Sequence, residues 1–308
     1  MLESDSLESM PIPEDRLKAW AAQGPAAAAQ SACAALREVL ITDVRSLVCA
    51  QKTDFYPCGS YWDGTNTSGG GPADAAVVLT SAWSQDLAMG GASGDELRRL
   101  QDAFQNFRLD VMGTLRAKYG LAGVEDRPDG LFIEGAADRV PVNLLVGIQH
   151  RLYLSFASAS GKQYQEGLCF WDLDGRQAVR FPKLHHENGE AKDGEAGTKG
   201  WFKPLVRLFK GLRDHLVERE VLDPALAPSY FLECLVYNIP NQNFGWSLAD
   251  SLAGALKWLS TSPLAGLKAQ NGIDPLFGSG PAQWSDQHAR LFLATAVRAW
   301  NSWPPAAQ

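Results

Sequence analysis

The sequence predicts an α+β fold: a mixed sheet with flanking helices, followed by a helical C-terminal lobe. Three observations carry this. Short apolar runs at 75–79, 130–133 and 140–146 are bounded by glycine, proline and polar turn residues, as buried strands are. Residues 95–119 repeat apolar side chains at helical spacing. From residue 198 onward the patterns are helical.

Residues 1–13 are an acidic, polar lead ending at Pro11 and Pro13, expected to be disordered or loosely docked. Residues 14–49 predict mostly helix, with Ala35, Leu36, Val39, Leu40, Val44 and Leu47 near helical spacing and a possible break after Gly24-Pro25. Residues 84–93, containing Met89-Gly90-Gly91-Ala92-Ser93, predict a loop. In the helix over 95–119, Leu97, Leu100, Phe104, Phe107, Val111 and Leu115 form a core face, and Asp95 is the candidate cap. Residues 161–200 are polar and turn-rich, with Asp172-Leu173-Asp174-Gly175 among them and a mobile loop expected over 187–197. The domain boundary falls here, giving a core over 1–160 and a helical lobe over 161–308. In the lobe, Leu205, Leu208, Phe209 and Leu212 share a core face, Lys203, Arg207 and Lys210 a separate basic one, and Pro204 fits a first turn. A second helix over 228–240 closes at Pro240, and helices over 248–259 and 286–300 complete the lobe.

The chemistry centres on 59–79. Gly59-Ser60-Tyr61-Trp62-Asp63-Gly64-Thr65 opens a tight turn whose backbone N–H groups can face a phosphate, because glycine lets a ligand approach the main chain. After a glycine-rich link, Pro72-Ala73-Asp74-Ala75-Ala76-Val77-Val78-Leu79 predicts a buried strand with Asp74 at its start. This Gly-Ser-x-x-x-Gly-Thr turn resembles that of the polymerase-beta-like nucleotidyltransferases, most closely the bacterial cyclic-oligonucleotide synthases, relatives of cyclic GMP-AMP synthase. Two downstream segments share the resemblance, Thr198…Phe202-Lys203-Pro204-Leu205-Val206-Arg207…Lys210 and Ser229-Tyr230…Glu233. It covers roughly residues 30–300. It implies a polymerase-beta-like core, a long N-terminal helix, nucleoside triphosphates as substrates, and Mg²⁺ or Mn²⁺ as cofactor. An effector protein encoded nearby is an implied partner.

The family pattern expects Asp-x-Asp on the first strand and a third acid on a neighbouring one. Here Asp74 is followed by Ala76, and the third position falls on Asn143 in Pro141-Val142-Asn143. Asp74 and Asn143 are the remaining candidate metal ligands, the amide being the weaker for a hard cation. The resemblance puts phosphate binding at Gly59 and Ser60 and nucleotide contacts at Lys203, Lys210, Ser229 and Tyr230, with Arg207 as a competitor. Each has a plainer reading: an ordinary turn, a solvated basic face, a helix cap at Ser229, a core aromatic at Tyr230. Glu233 reads as a core-edge acid satisfying a neighbour. Trp62 is a candidate base-stacking or lid residue. His185-His186 is not read as a zinc site, since neighbours on a strand face opposite ways.

The activity implied is synthesis of a cyclic or linear oligonucleotide signal in anti-phage defence, impaired in this chain by Ala76 and Asn143. The chain is then an engineered inactive variant or a naturally degenerate one. The alternatives are a nucleotide-binding regulator of a partner effector, and nucleotide transfer onto a protein or tRNA. With 28 Lys and Arg against 35 Asp and Glu, and a net charge of −7, strong general nucleic-acid binding is not expected. Five scattered cysteines point to a reducing cytoplasm, and neither a signal peptide nor a membrane span is read.

Overall fold

The computed structural model describes residues 12–86, 93–155, 163–278, 280 and 283–303. Of the expected lead over 1–13, residues 1–11 lie outside the described residues while Ile12 is buried in a core; of the expected loop over 84–93, residues 87–92 lie outside them and 84–86 belong to the strand Ala73–Asp86. In chain order the elements are α1 (Glu14–Ala21), α2 (Ala27–Arg37), β1 (Thr53–Cys58), α3 (Gly59–Asp63), β2 (Ala73–Asp86), α4 (Gly94–Tyr119), β3 (Val124–Arg127), β4 (Gly130–Ile133), β5 (Val142–Ser155), β6 (Gln163–Trp171), β7 (Gln177–Arg180), α5 (Pro182–Asp193), α6 (Phe202–Glu218), α7 (Ser229–Tyr237), α8 (Leu248–Thr261) and α9 (Asp286–Asn301). They form two compact units, one of residues 26–62 and 71–186, the other of described residues 12–25, 63–70 and 187–303.

The first unit is built on a mixed sheet. The described strands run β1-β2-β5-β4-β3, and β6 also pairs with β5 and carries β7. Strand β2 is antiparallel to β1 and parallel to β5. Its Ala75 to Leu79 are all buried, which is why this run reads as continuously apolar rather than alternating. Helices α2 and α4 pack on the sheet. Phe104, Phe107, Val111 and Leu115 of α4 join Leu36, Val77, Val146 and Ile148 in one core. Each such large side chain contributes roughly 1.5–3 kcal/mol by leaving water. On the same helix face sits buried Arg108, which donates to the carbonyls of Arg127 (2.6 Å) and Gly130 (3.0 Å) and pairs with Asp126, pinning the β3–β4 hairpin.

The second unit is helical. Helix α1 packs on α6, and Phe209, Phe231, Leu235, Leu252, Phe292 and Trp300 lie within its core. Thr198 prepares the start of α6, its hydroxyl accepting from the Phe202 N–H at 2.9 Å and donating to the Lys192 carbonyl at 2.9 Å.

Several expectations are corrected. The long N-terminal helix that the resemblance implies is not continuous: α1 and α2 are separated at Gly24-Pro25, where the sequence offered a break, a π-helical turn covers Glu38–Thr42, and Val44 and Leu47 are exposed. The sheet continues past the expected boundary at 160 through β6 and β7, and the expected loop over 187–197 begins inside α5. The apolar run Leu168-Cys169-Phe170-Trp171 makes β6, and the Asp172 side chain closes the hairpin by accepting from the N–H groups of Asp174 and Arg176. Helix α5 carries too few apolar residues to declare its period. The cap of α4 is Ser93, accepting from the Glu96 N–H at 3.3 Å; Asp95 sits inside the first turn. His185 and His186 lie on α5, not on a strand. No described helix is long and apolar enough to cross a membrane, and no disulfide joins any of the five cysteines, all of them described.

Candidate functional site

Strand β1 runs antiparallel to β2 until Cys58 stands opposite Asp74, and the chain then turns at Gly59. Gly59 has φ +69°, and a Cβ there would meet Asp74 Oδ2 at 2.5 Å. Glycine is required twice, for its left-handed backbone and for the approach of the main chain to this carboxylate. Ser60 follows, half-buried, in the short helix α3. The Gly-Ser turn and Asp74 are therefore direct neighbours, as the chemistry over 59–79 requires.

On the other side of β2, parallel pairing sets Asp74 beside Asn143 and Ala76 beside Leu145. The side-chain period of two puts Asp74, Ala76 and Asn143 on one face. Asn143 Nδ2 donates to Asp74 Oδ1 at 2.9 Å. Ala76 is fully buried and offers no donor atom. From α2, the Cys33 thiol donates to the Asp74 carbonyl at 3.9 Å; burial, then the charge on Asp74, pushes that thiol up to about 11.

A pair of Mg²⁺ ions needs several oxygen ligands with enough negative charge to hold them. These three positions supply one carboxylate, one amide whose N–H is turned onto that carboxylate, and one methyl group. The residues present do not fit a pair of such ions.

In the helical unit the predicted basic face is turned inward rather than solvated. Lys210 is buried and donates to Glu233 Oε1 at 2.6 Å, the Thr65 carbonyl at 3.0 Å and Thr65 Oγ1 at 3.2 Å. Thr65 in turn donates to Glu233 Oε1 at 2.6 Å. Arg207 donates to the carbonyls of Ala21 and Gly64, both at 2.5 Å, and burial lowers its pKa. Lys203 pairs with Glu190 at 2.5 Å. Lys210 and Arg207 thus fasten the Gly64-Thr65 pair that ends the Gly-Ser motif. This role of Thr65 escaped the sequence analysis, since nothing local links it to a lysine 145 positions away.

Ser229, at the first position of α7, is exposed, and its hydroxyl accepts from Arg213 at 3.4 Å. Tyr230 is exposed, its ring 5.3 Å from that of Trp284, so it is not a core aromatic. Trp62 stacks face to face on His186, centroids 3.9 Å apart, which occupies one face of the indole.

Comparison with known proteins places this geometry. Residues 187–301 match the cGAS/DncV-like nucleotidyltransferase C-terminal helical domain. The chain is 35% identical over 295 residues to a cyclic UMP-AMP synthase of Rhodothermus marinus, covering 96% of this chain and 99% of that one. It is 28% identical to a cyclic nucleotide synthase of Staphylococcus haemolyticus, covering 96% of this chain and 100% of that one. Among solved structures, the R. marinus c-UMP-AMP synthase with Apcpp and Upnpp superposes with TM-score 0.83 at 34% identity, over 97% of this chain and 99% of that one. The polymerase-beta-like fold and its helical C-terminal domain are shared throughout, and the chain belongs to the cGAS/DncV-like nucleotidyltransferases, the family of cyclic-oligonucleotide synthases.

Proposed function

We propose that this chain binds nucleoside triphosphates as a cyclic- or linear-oligonucleotide synthase of bacterial anti-phage defence, with its transfer chemistry strongly impaired. One observation carries this reading: the paired strands β2 and β5 hold Asp74, Ala76 and Asn143 on one face, a single acid at three positions where the family pattern expects acids. The Gly59-Ser60 turn offers backbone N–H groups and a hydroxyl to the triphosphate, next to Asp74. Asp74 is the acid placed to take a proton from an attacking sugar hydroxyl. Lys203, Ser229 and Tyr230 are candidates for nucleotide contact. Lys210 contributes indirectly by holding Thr65.

The family's chemistry draws on divalent cations, Mg²⁺ or Mn²⁺ here. Losing a cation's stabilisation of transition-state charge, roughly 4 kcal/mol, slows transfer about 10³-fold. The R. marinus relative, solved with Apcpp and Upnpp, makes ATP and UTP the first nucleotides to test. The free thiols fit a reducing cytoplasm.

The test incubates this chain and its Ala76→Asp/Asn143→Asp version with labelled triphosphates and Mg²⁺. Product from the restored version, with at least about 10³-fold less from the original, supports the reading. Equal product from both sinks it. The Asn143–Asp74 hydrogen bond, which engages the single acid of the three positions, favours a second reading: a nucleotide-binding regulator of a partner effector. Tight ATP binding, a co-purifying partner and no product from the restored version would select it.

A further inference from the structure

The helical unit contains a concave site of about 280 Å³ remote in sequence from the Gly-Ser turn. It lies where α6 and α9 end, and His215, Arg219, Thr295, Arg298, Ser302 and Trp303 are among the residues lining it. Among the described residues no aspartate or glutamate lines it, in a chain whose net charge is −7. Among the described residues, neither Arg219 nor Arg298 has an ion-pair partner.

Helix C-termini ordinarily repel anions. Each end contributes about half a negative charge, so two full guanidinium charges leave roughly one positive. Some of the carbonyls that carry the negative end are already engaged. The Arg219 N–H donates to the His215 carbonyl and the Val221 N–H to that of Leu216. The Arg298 carbonyl accepts from both the N–H and the hydroxyl of Ser302. The lining thus offers two planar forks, the geometry that grips phosphate oxygens two at a time.

Part of the lining is aromatic. The rings of His215 and Trp303 lie 4.7 Å apart, and Trp20 braces both from α1, edge-on to Trp303 at 5.8 Å. Burial, then the charges of Arg219 and Arg16, lower the pKa of His215 against an opposing pull from Glu218. A volume near the lower end of small-molecule sites, which span about 300–1,000 Å³, suits one ring and one phosphate rather than a dinucleotide.

We propose that this cavity binds a phosphate attached to a planar ring, the chemical make-up of a nucleoside monophosphate, at a site separate from the Gly-Ser turn. The inference does not depend on the transfer chemistry proposed above. Isothermal titration of the full chain with AMP and UMP tests it, with adenosine and inorganic phosphate as the two halves of the ligand. Binding of AMP or UMP is expected, weakened about tenfold or more by Arg219→Ala or Arg298→Ala, and unchanged by Ser60→Ala. Adenosine and inorganic phosphate should each bind at least about tenfold more weakly than AMP. Both arginines are exposed, and unchanged thermal melting of the variants verifies their fold. No binding at millimolar AMP and UMP, undiminished binding in both arginine variants, or loss of binding in Ser60→Ala would overturn the proposal.

Discussion

At residue 59 the requirement for glycine comes from the strand beside it. A methyl group there would press on the Asp74 carboxylate while the backbone holds φ +69°. Gly59→Ala should cost about 1–2 kcal/mol from the left-handed backbone alone, read as a lower urea midpoint, and it should also weaken triphosphate binding. Elsewhere, Lys192 donates to the Ile239 carbonyl at 2.6 Å beneath the rings of Tyr237 and Phe244, and burial lowers it to about 8 from an ordinary 10.5. The unfolded chain holds this proton more tightly than the folded one. The residue's contribution to stability therefore rises as pH climbs from about 8 toward 10.5. Urea unfolding between pH 8 and 9.5 should show that rise, and Lys192→Met should flatten it.

At the scale of elements, α6 and α7 meet over a buried ion pair, Lys210–Glu233, whose side chains are only 3% and 4% exposed. Such a pair costs much to desolvate, and Thr65 helps to satisfy both partners. Removing one side leaves a stranded charge. Glu233→Ala should destabilise by about 3–5 kcal/mol in denaturant unfolding, whereas Lys210→Met/Glu233→Leu should recover most of that loss. The sequence marked Lys210 as a basic residue on a helix face and Glu233 as an acid with a neighbour. It could not give the partner, because their meeting depends on how two helices cross. Similarly, the turn and the strand after it were legible from Gly59-Ser60 and from the apolar run ending at Leu79. The π-turn after α2 and the helix over 182–193 were not. Neither shows an apolar period: the first departs from 3.6 residues per turn, and the second is mostly polar.

At the scale of the whole molecule, a folded two-unit protein retains the family's architecture. A ligand that binds the native state alone stabilises it by mass action. ATP at 100 times its Kd should therefore add about 2.7 kcal/mol to stability, seen as a concentration-dependent rise in Tm. Adding Mg²⁺ should change that rise little in this chain and raise it further in the Ala76→Asp/Asn143→Asp version. The sequence by itself determined the α+β class, the long amphipathic helix α4, the Gly-Ser turn and the absence of an acid at positions 76 and 143. All of these are written in contiguous residues, through period, turn chemistry and side-chain identity. Only the tertiary structure decided that Asn143 turns its amide onto Asp74, that the basic face of α6 is buried, and that Arg219 and Arg298 share one cavity. Those facts depend on strand register and helix packing between residues 23 to 145 or more positions apart, and local sequence does not encode such distances.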